Sequence, residues 1–327
     1  MTAAKDKPKI GIVGGGRLAQ AMAAMLGRLP GELSVWSRKA KSAANVKTVA
    51  KGIKVKKTLG DLVDNADILA LALPAHALNA VVSELGDHAR PDQLVLHGMR
   101  GVDGSGRLPH QILKNETCLK KIAVVGGPLL APEVDQRLKM TAMLASAYPE
   151  LIDLVEEMGI SSFVHLHRSE DVAGFEVIGA MSNVTATAVG MVAAMGGGET
   201  ARGVVMMHGL TEAAHLGALY EARRSSFSGL AGIGDMLPRK ITSTSRHHTL
   251  GKALAAKPGK LTARQSELDG VWSARHFAAA GESAGLNLRL CQWVASAITD
   301  EDVDLAGQLE SLLSADLKLD HALGRLK

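Results

Sequence analysis

A run of small residues, Gly14-Gly15-Gly16-Arg17-Leu18-Ala19, follows the apolar segment Lys9-Ile-Gly-Ile-Val13 and opens a stretch with helical spacing. That context gives the pattern Gly14-x-Gly16-x-x-Ala19 its meaning. Gly14 permits a tight turn, Gly16 lets backbone approach a pyrophosphate, and Ala19 is small enough for helix and strand to pack. The N–H groups at the helix start then face the phosphates of a dinucleotide. An NAD-selective site places an acid about 20 residues on, at the end of the second strand, to hold the ribose hydroxyls. Here that strand ends Val35-Trp36-Ser37-Arg38-Lys39, with no acid. Ser37, Arg38 and Lys39 suit a 2′-phosphate, so NADP is expected in preference to NAD. The plainer reading makes Arg38 and Lys39 the solvated first turn of a helix.

The elements that must position this turn are legible as alternation. Lys9–Val13, Leu33–Trp36, Ile68–Leu73, Leu94–His97 and Ile122–Val125 read as strands, separated by helical segments near 17–29, 39–50, 75–86 and 108–116. Strand and helix alternating in this way predict a parallel sheet with both faces covered. Ile53–Val55, Met140–Ser146 and Ser162–Leu166 are expected to extend it. After about residue 168 the spacing is helical throughout, over 170–195, 201–222, 246–256, 271–283, 288–298 and 302–314. The fold class is therefore α/β, with a doubly wound Rossmann domain over 1–168 and an all-helical substrate domain over 169–327. Ser225–Ser245, rich in Gly, Ser and Thr between two strong helices, reads as a functional loop.

Composition narrows the function. The 327 residues carry a formal charge of +4, are 46% hydrophobic and only 3% aromatic. Such a charge suits a phosphorylated or otherwise anionic ligand and falls far short of a nucleic-acid-binding stripe. Cys118 and Cys291 match no zinc or redox spacing, and a reducing cytoplasm is the plain reading. Val177–Met195 has no formal charge and approaches the length of a membrane span. Its Ser182, Asn183, Thr185 and Thr187 argue instead for a buried helix, and no membrane span is expected. His208, Glu212 and His215 share a helical face at a spacing compatible with a metal, while His165 and His167 alternate on one side of a strand without a third ligand. No metal is expected.

Several further segments, in order, resemble the bacterial-type NAD(P)-dependent glycerol-3-phosphate dehydrogenases. They are Leu71-Ala-Leu-Pro-Ala-His76, His97-Gly-Met-Arg-Gly-Val102, Gly127-Pro-Leu-Leu-Ala-Pro-Glu-Val134, Gly179-Ala-Met-Ser-Asn-Val184, His208-Gly-Leu-Thr-Glu212, Gly229-Leu-Ala-Gly-Ile-Gly-Asp235, Ser245-Arg246-His247 and Leu268-Asp-Gly-Val271. The resemblance implies hydride transfer between nicotinamide C4 and C2 of dihydroxyacetone phosphate or glycerol 3-phosphate, and a homodimer. It assigns Pro74, Ala131 and Asp269 to the cofactor. It assigns Arg100, Asn183, Arg239, Ser245, Arg246 and His247 to the substrate, and Ser182, Asp235, Arg100 and His247 to the catalytic centre.

Departures from the family pattern fall in that centre. The resemblance places lysines at 182 and 100, where this chain has Ser182 and Arg100. A serine hydroxyl can polarise a carbonyl but does not alternate as acid and base near neutrality, and an arginine stabilises an alkoxide without releasing its proton. Arg239 and His247 replace a threonine and an asparagine of the pattern, and arginines of the pattern stand where this chain has His208 and His215. The partner of the retained Asp235 is left open. Lys240 and His247 are candidate substitute acids. Three readings follow: a glycerol-3-phosphate dehydrogenase with rearranged proton handling, a dehydrogenase for another small anionic substrate, or a cofactor-binding pseudoenzyme that acts as sensor or scaffold.

Overall fold

The computed structural model describes residues 8–26, 31–50, 52–129, 131–157, 163–237 and 245–326. Two compact units emerge. The first holds the chain to Leu73, Ala77–Met99 and His110–Val172, and the second holds Pro74–His76, Arg100–Pro109 and Ala173 onward.

In the first unit, β1 (Lys9–Val13), β2 (Glu32–Trp36), β3 (Lys54–Val55), β4 (Ile68–Leu71), β5 (Leu94–His97), β6 (Lys121–Gly126), β7 (Met140–Ser146) and β8 (Val164–Ser169) form one sheet in the order β3-β2-β1-β4-β5-β6-β7-β8. The first six strands have the doubly wound order, reversing beside β1, where a ligand crevice is expected at the strand ends. The buried runs of β1 and β4 have the apolar character of strands covered on both sides. One face packs on α1 (Arg17–Leu26) and α2 (Ala40–Lys47), with Ile10, Ile12, Met22, Leu26 and Val46 in its core. The other packs on α3 (Leu59–Asp64), α4 (Ala75–His88) and α5 (Pro109–Glu116), through Leu62, Leu69, Leu78, Leu85 and Ile112.

The expected strands are all present, but the sheet is not wholly parallel: β7 runs antiparallel to β6, and β8 parallel to β7. The cause lies in the connection. Between β6 and β7 stands only the six-residue α6 (Ala131–Gln136), about 9 Å long. Six-residue β6 spans about 20 Å, so the chain has no element long enough to carry it back for a parallel crossover. Two short helices escaped the periodicity, α3 and α6, as did the nine-residue α7 (Pro149–Glu157). The expected end of α1 at 27–29 and the start of β8 at Ser162 lie outside the described residues.

The second unit is helical, and among its described residues there is no strand. Its axis is α8 (Val172–Ala194), long and apolar enough to cross a membrane by length and composition, yet 89% of its apolar window is buried within the protein. Around it stand α9 (Glu199–Leu219), α10 (Arg224–Ser228), α11 (Arg246–Ala256), α12 (Ala263–Ser266), α13 (Asp269–Ser283), α14 (Arg289–Thr299), α15 (Leu305–Leu313) and α16 (Leu319–Leu323). Burial of polar residues in α8 is tolerable because they bond back along the helix, Thr185 Oγ1 to the Met181 carbonyl at 2.8 Å and Thr187 Oγ1 to that of Asn183 at 3.0 Å. The Gly-Ser-Thr segment is not simply a loop: after α10 it forms a π-helical turn, Leu230–Gly234, that ends on Asp235. Such turns recur at functional sites.

Candidate active site: a dinucleotide turn and a cationic cluster

In the first unit β1 runs into Gly14, whose φ of +131° is open only to glycine. A Cβ there would strike the carbonyl oxygen of Ala72 on the neighbouring strand's exit. The Gly14 N–H donates to the Trp36 carbonyl at 2.9 Å, which ties the turn to the end of β2. Around Gly16 there is open space, with no heavy atom within 4 Å of an added Cβ. Helix α1 starts at Arg17, directly after the turn, and the Gln20 N–H donates to the Gly16 carbonyl at 3.1 Å. Ala19 is fully buried against the sheet. An open approach, a helix start and a small residue beneath it fit a pyrophosphate.

Ser37 lies against this turn, its Oγ 2.8 Å from a Cβ placed on Gly15. Arg38 and Lys39 are exposed, Lys39 preceding α2 in extended conformation without a side-chain cap. Ala131 opens α6, and Pro74 is exposed at the start of the short segment 74–76.

The second unit gathers residues that are distant in sequence. Arg100 reaches Asp235 as a fork, Nη1 to Oδ2 at 2.5 Å and Nη2 to Oδ1 at 2.9 Å. Asp235 is 2% exposed and the Arg100 side chain 19%. This bidentate geometry is the strongest form of the pair. Arg100 Nη1 also donates to Ser182 Oγ at 3.2 Å, while Ser182 donates its own proton to the Gly179 carbonyl at 2.9 Å. Asn183 Nδ2 donates to the Arg100 carbonyl at 2.9 Å. Among the described residues Asp235 thus has Arg100 as a partner.

Beside Arg100, a Cβ on Gly101 would stand 2.9 Å from that of Asp269. Asp269 Oδ1 accepts the Ala75 N–H at 2.9 Å and lies 3.6 Å from His76 Nδ1. Burial raises the Asp269 carboxyl above its ordinary range, His76 and the Ala75 N–H opposing that shift. The next residue, Gly270, donates its N–H to His247 Nε2 at 3.2 Å. In that contact Nε2 of His247 is the acceptor. Ser245 caps α11 by accepting the His248 N–H at 3.2 Å, and exposed Arg246 is the first residue of that helix. A cation at a helix start is an anion-binding arrangement. Arg239 and Lys240 lie outside the described residues.

Sequence reasoning missed a stack of three rings here. Trp272 stacks with His76 at 5.6 Å and with His276 at 6.4 Å, nearly parallel to each. The spacing of Trp272 and His276, one helical turn apart, was the available signal.

The histidine stripe on α9 has a different occupation. Both carboxylate oxygens of buried Glu212 accept N–H groups at the start of α14, from Leu290 at 2.6 Å and Cys291 at 3.0 Å, and His208 Nε2 lies 2.9 Å from the Leu312 carbonyl. Among the described residues no group of three or more metal-ligating side chains forms. His165 and His167 are exposed on β8.

Comparison with known proteins gives a consistent picture. Residues 9–152 match the family described as NAD-dependent glycerol-3-phosphate dehydrogenase N-terminus, and residues 171–306 match the corresponding C-terminus. A curated relative from Bradyrhizobium diazoefficiens, "Glycerol-3-phosphate dehydrogenase [NAD(P)+]", is 30% identical over 94% of this chain and 97% of its own. One from Fusobacterium nucleatum with the same name is 26% identical over 95% and 98%. A crystal structure of glycerol-3-phosphate dehydrogenase from Coxiella burnetii shares the fold, with a TM-score of 0.86 at 22% identity over 94% of this chain and 99% of that one. With both halves matched in order and a 30% identical relative spanning nearly its full length, this chain belongs to the NAD-dependent glycerol-3-phosphate dehydrogenase family.

Proposed function

We propose that the protein is an NAD(P)-dependent glycerol-3-phosphate dehydrogenase, an oxidoreductase interconverting dihydroxyacetone phosphate and glycerol 3-phosphate. The observation that carries this reading is the continuity of the family match through both halves of the chain. Each half also offers groups that suit its ligand. The Gly14–Ala19 turn would seat the pyrophosphate, and the bound nicotinamide would supply the hydride. Ser37, Arg38 and Lys39 favour NADP over NAD, because the end of β2 offers cations and a hydroxyl where a carboxylate would repel a 2′-phosphate. Pro74, Ala131 and Asp269 complete the cofactor's surroundings in this reading.

For the substrate, Arg246 and Ser245 at the start of α11 suit the phosphate, joined by Arg239. His247 follows Arg246 on the same helix and holds the Gly270 N–H through Nε2. Asn183 holds the backbone of Arg100, and Asp235 holds its side chain. Ser182 supports that guanidinium. We assign 1–168 to the dinucleotide and 169–327 to the substrate, the segments 74–76 and 100–109 serving the second function from within the first stretch. A cytoplasmic homodimer completes the reading.

The test is oxidation of NADPH and of NADH with dihydroxyacetone phosphate. Turnover is expected with both, and a higher kcat/KM with NADPH. Tight NADPH binding without turnover would instead support a sensor, and turnover only with another small anionic carbonyl would move the substrate assignment.

A further inference from the structure

We propose that the contact between Gly15 and Ser42 sets the choice between NADP and NAD, by fixing where Ser37, Arg38 and Lys39 stand relative to the pyrophosphate turn. The inference rests on the NADP preference proposed above and names the device that enforces it.

Gly15 and Gly16 are adjacent glycines with opposite surroundings. A Cβ on Gly16 would meet nothing within 4 Å, so that side of the turn is open. A Cβ on Gly15 would stand 2.5 Å from Ser42 Cβ, 2.8 Å from Ser37 Oγ and 2.9 Å from the Ser42 carbonyl carbon. Ser42 is the third residue of α2, so the start of that helix rests on the turn. Carbon atoms settle at about 3.5–4.0 Å from one another, and a methyl group at residue 15 would leave Ser42 roughly 1 Å too close. Ser37 can turn its hydroxyl aside. The main chain of Ser42 moves only with its helix, which Ala43 and Val46 hold in the core.

The same contact governs residues 37–39. At one end of this segment the Trp36 carbonyl accepts the Gly14 N–H at 2.9 Å. At the other the Lys39 carbonyl accepts the N–H groups of Ser42 at 2.8 Å and of Ala43 at 3.4 Å. Ser37, Arg38 and Lys39 therefore form an arch, with one foot on Gly14 and the other on the helical turn that Gly15 receives. NAD and NADP share the pyrophosphate and differ in the 2′-phosphate. A displacement of α2 moves the arch against the turn, and the 2′-phosphate registers it first, because charge-assisted hydrogen bonds are short and weaken steeply when misaligned. Ser42 is a positioning residue in this account, and the absence of a side chain at Gly15 is what lets it approach.

The experiment titrates NADPH and NADH, followed by nicotinamide fluorescence, into the full chain as wild type, Gly15→Ala, Ser42→Gly, the double variant and Gly16→Ala. Thermal melting of each reports folding. Wild type is expected to bind NADPH more tightly than NADH. Gly15→Ala should lower that ratio of affinities by about tenfold, the scale of one charge-assisted hydrogen bond, with NADH affinity held within about threefold. Ser42→Gly opens a gap in the contact and should lower the ratio by a smaller amount. The double variant moves a Cβ from one side of the contact to the other, and its ratio should exceed that of either single variant. Gly16→Ala places its methyl group on the open side, where both cofactors bring their pyrophosphate, and should weaken both alike. Should Gly15→Ala fail to fold, the ratio in Ser42→Gly decides. A wild-type preference that survives in the deciding variant, a double variant below both singles, or a ratio shift in Gly16→Ala as large as that in Gly15→Ala overturns this inference and leaves the NADP reading standing. Wild type without a preference for NADPH overturns that reading and this inference with it.

Discussion

The dinucleotide turn and the Arg100 cluster are built on opposite principles. The turn is made of backbone: Gly14, Gly16 and the first N–H groups of α1 lie within a few residues, and the chain's direction does the positioning. The cluster is made of side chains, drawn from residue 100, from 179–183 on α8 and from Asp235. A backbone site tolerates no change of conformation but many changes of neighbour. A side-chain site tolerates exchange of its members, provided charge and volume are exchanged together. Arg100 and Ser182 can on this principle change as a pair while the glycine turn stays fixed.

The largest expected effect breaks the first member of the comparison. Gly14→Val forces a β-branched residue to φ near +131° and its Cβ onto the Ala72 carbonyl. The strained conformation alone costs about 1–3 kcal/mol, and the closed approach removes the pyrophosphate seat. NADPH affinity should fall by about 100-fold or more, equivalent to some 2.7 kcal/mol, measured by fluorescence titration, with a lowered Tm.

Asp235→Asn breaks the second member and should leave the first untouched. It strands a largely buried guanidinium without its counter-charge, a loss of about 2 kcal/mol in stability given that Arg100 keeps some access to solvent. Turnover should fall by about 100-fold while NADPH affinity stays within about twofold. A parallel loss of cofactor binding would show that the two regions are not separable.

How much of this was legible follows the same division. The sheet and the cofactor turn could be read because their signals are local: apolar runs of four to six residues, and glycines at fixed offsets. The reversal of β7 was not, because strand direction depends on what the connecting α6 can span. For the cluster, Ser182, Asn183, Arg100 and Asp235 were all identifiable through the family resemblance, but not their pairing. Nothing in residue 100 announces that its side chain ends 135 positions away on Asp235. The pairing of His247 with one backbone N–H, that of Gly270, was likewise hidden from the sequence.

Cofactor selection offers a smaller effect and sharpens what the turn reads. Arg38→Asp should shift the ratio of kcat/KM for NADPH over NADH by about tenfold toward NADH, since exposed Arg38 supports no other element in the described structure. An unchanged ratio would make Arg38 the solvated helix residue of the plainer reading and move the 2′-phosphate elsewhere.

The smallest effect concerns how each region answers to acid. His215, His248 and His276 all lie in the second unit, and burial lowers the pKa of each, with the added repulsion of Arg325 and His321 at His215 and of Lys252 and Arg202 at His248. A lowered folded-state value means that the unfolded chain takes up protons first, near pH 6.5. The stabilisation is therefore fully present above 6.5 and is lost as pH falls through the folded-state value. His215→Gln removes one such group, and the drop in Tm between pH 7 and pH 5 should become shallower by about a degree or two, corresponding to less than about 1 kcal/mol. Hydrogen exchange at pH 5 should open the helices around α9 before the sheet. If the sheet opened first, acid sensitivity would belong to the cofactor unit, and the side-chain site would be the more robust of the two.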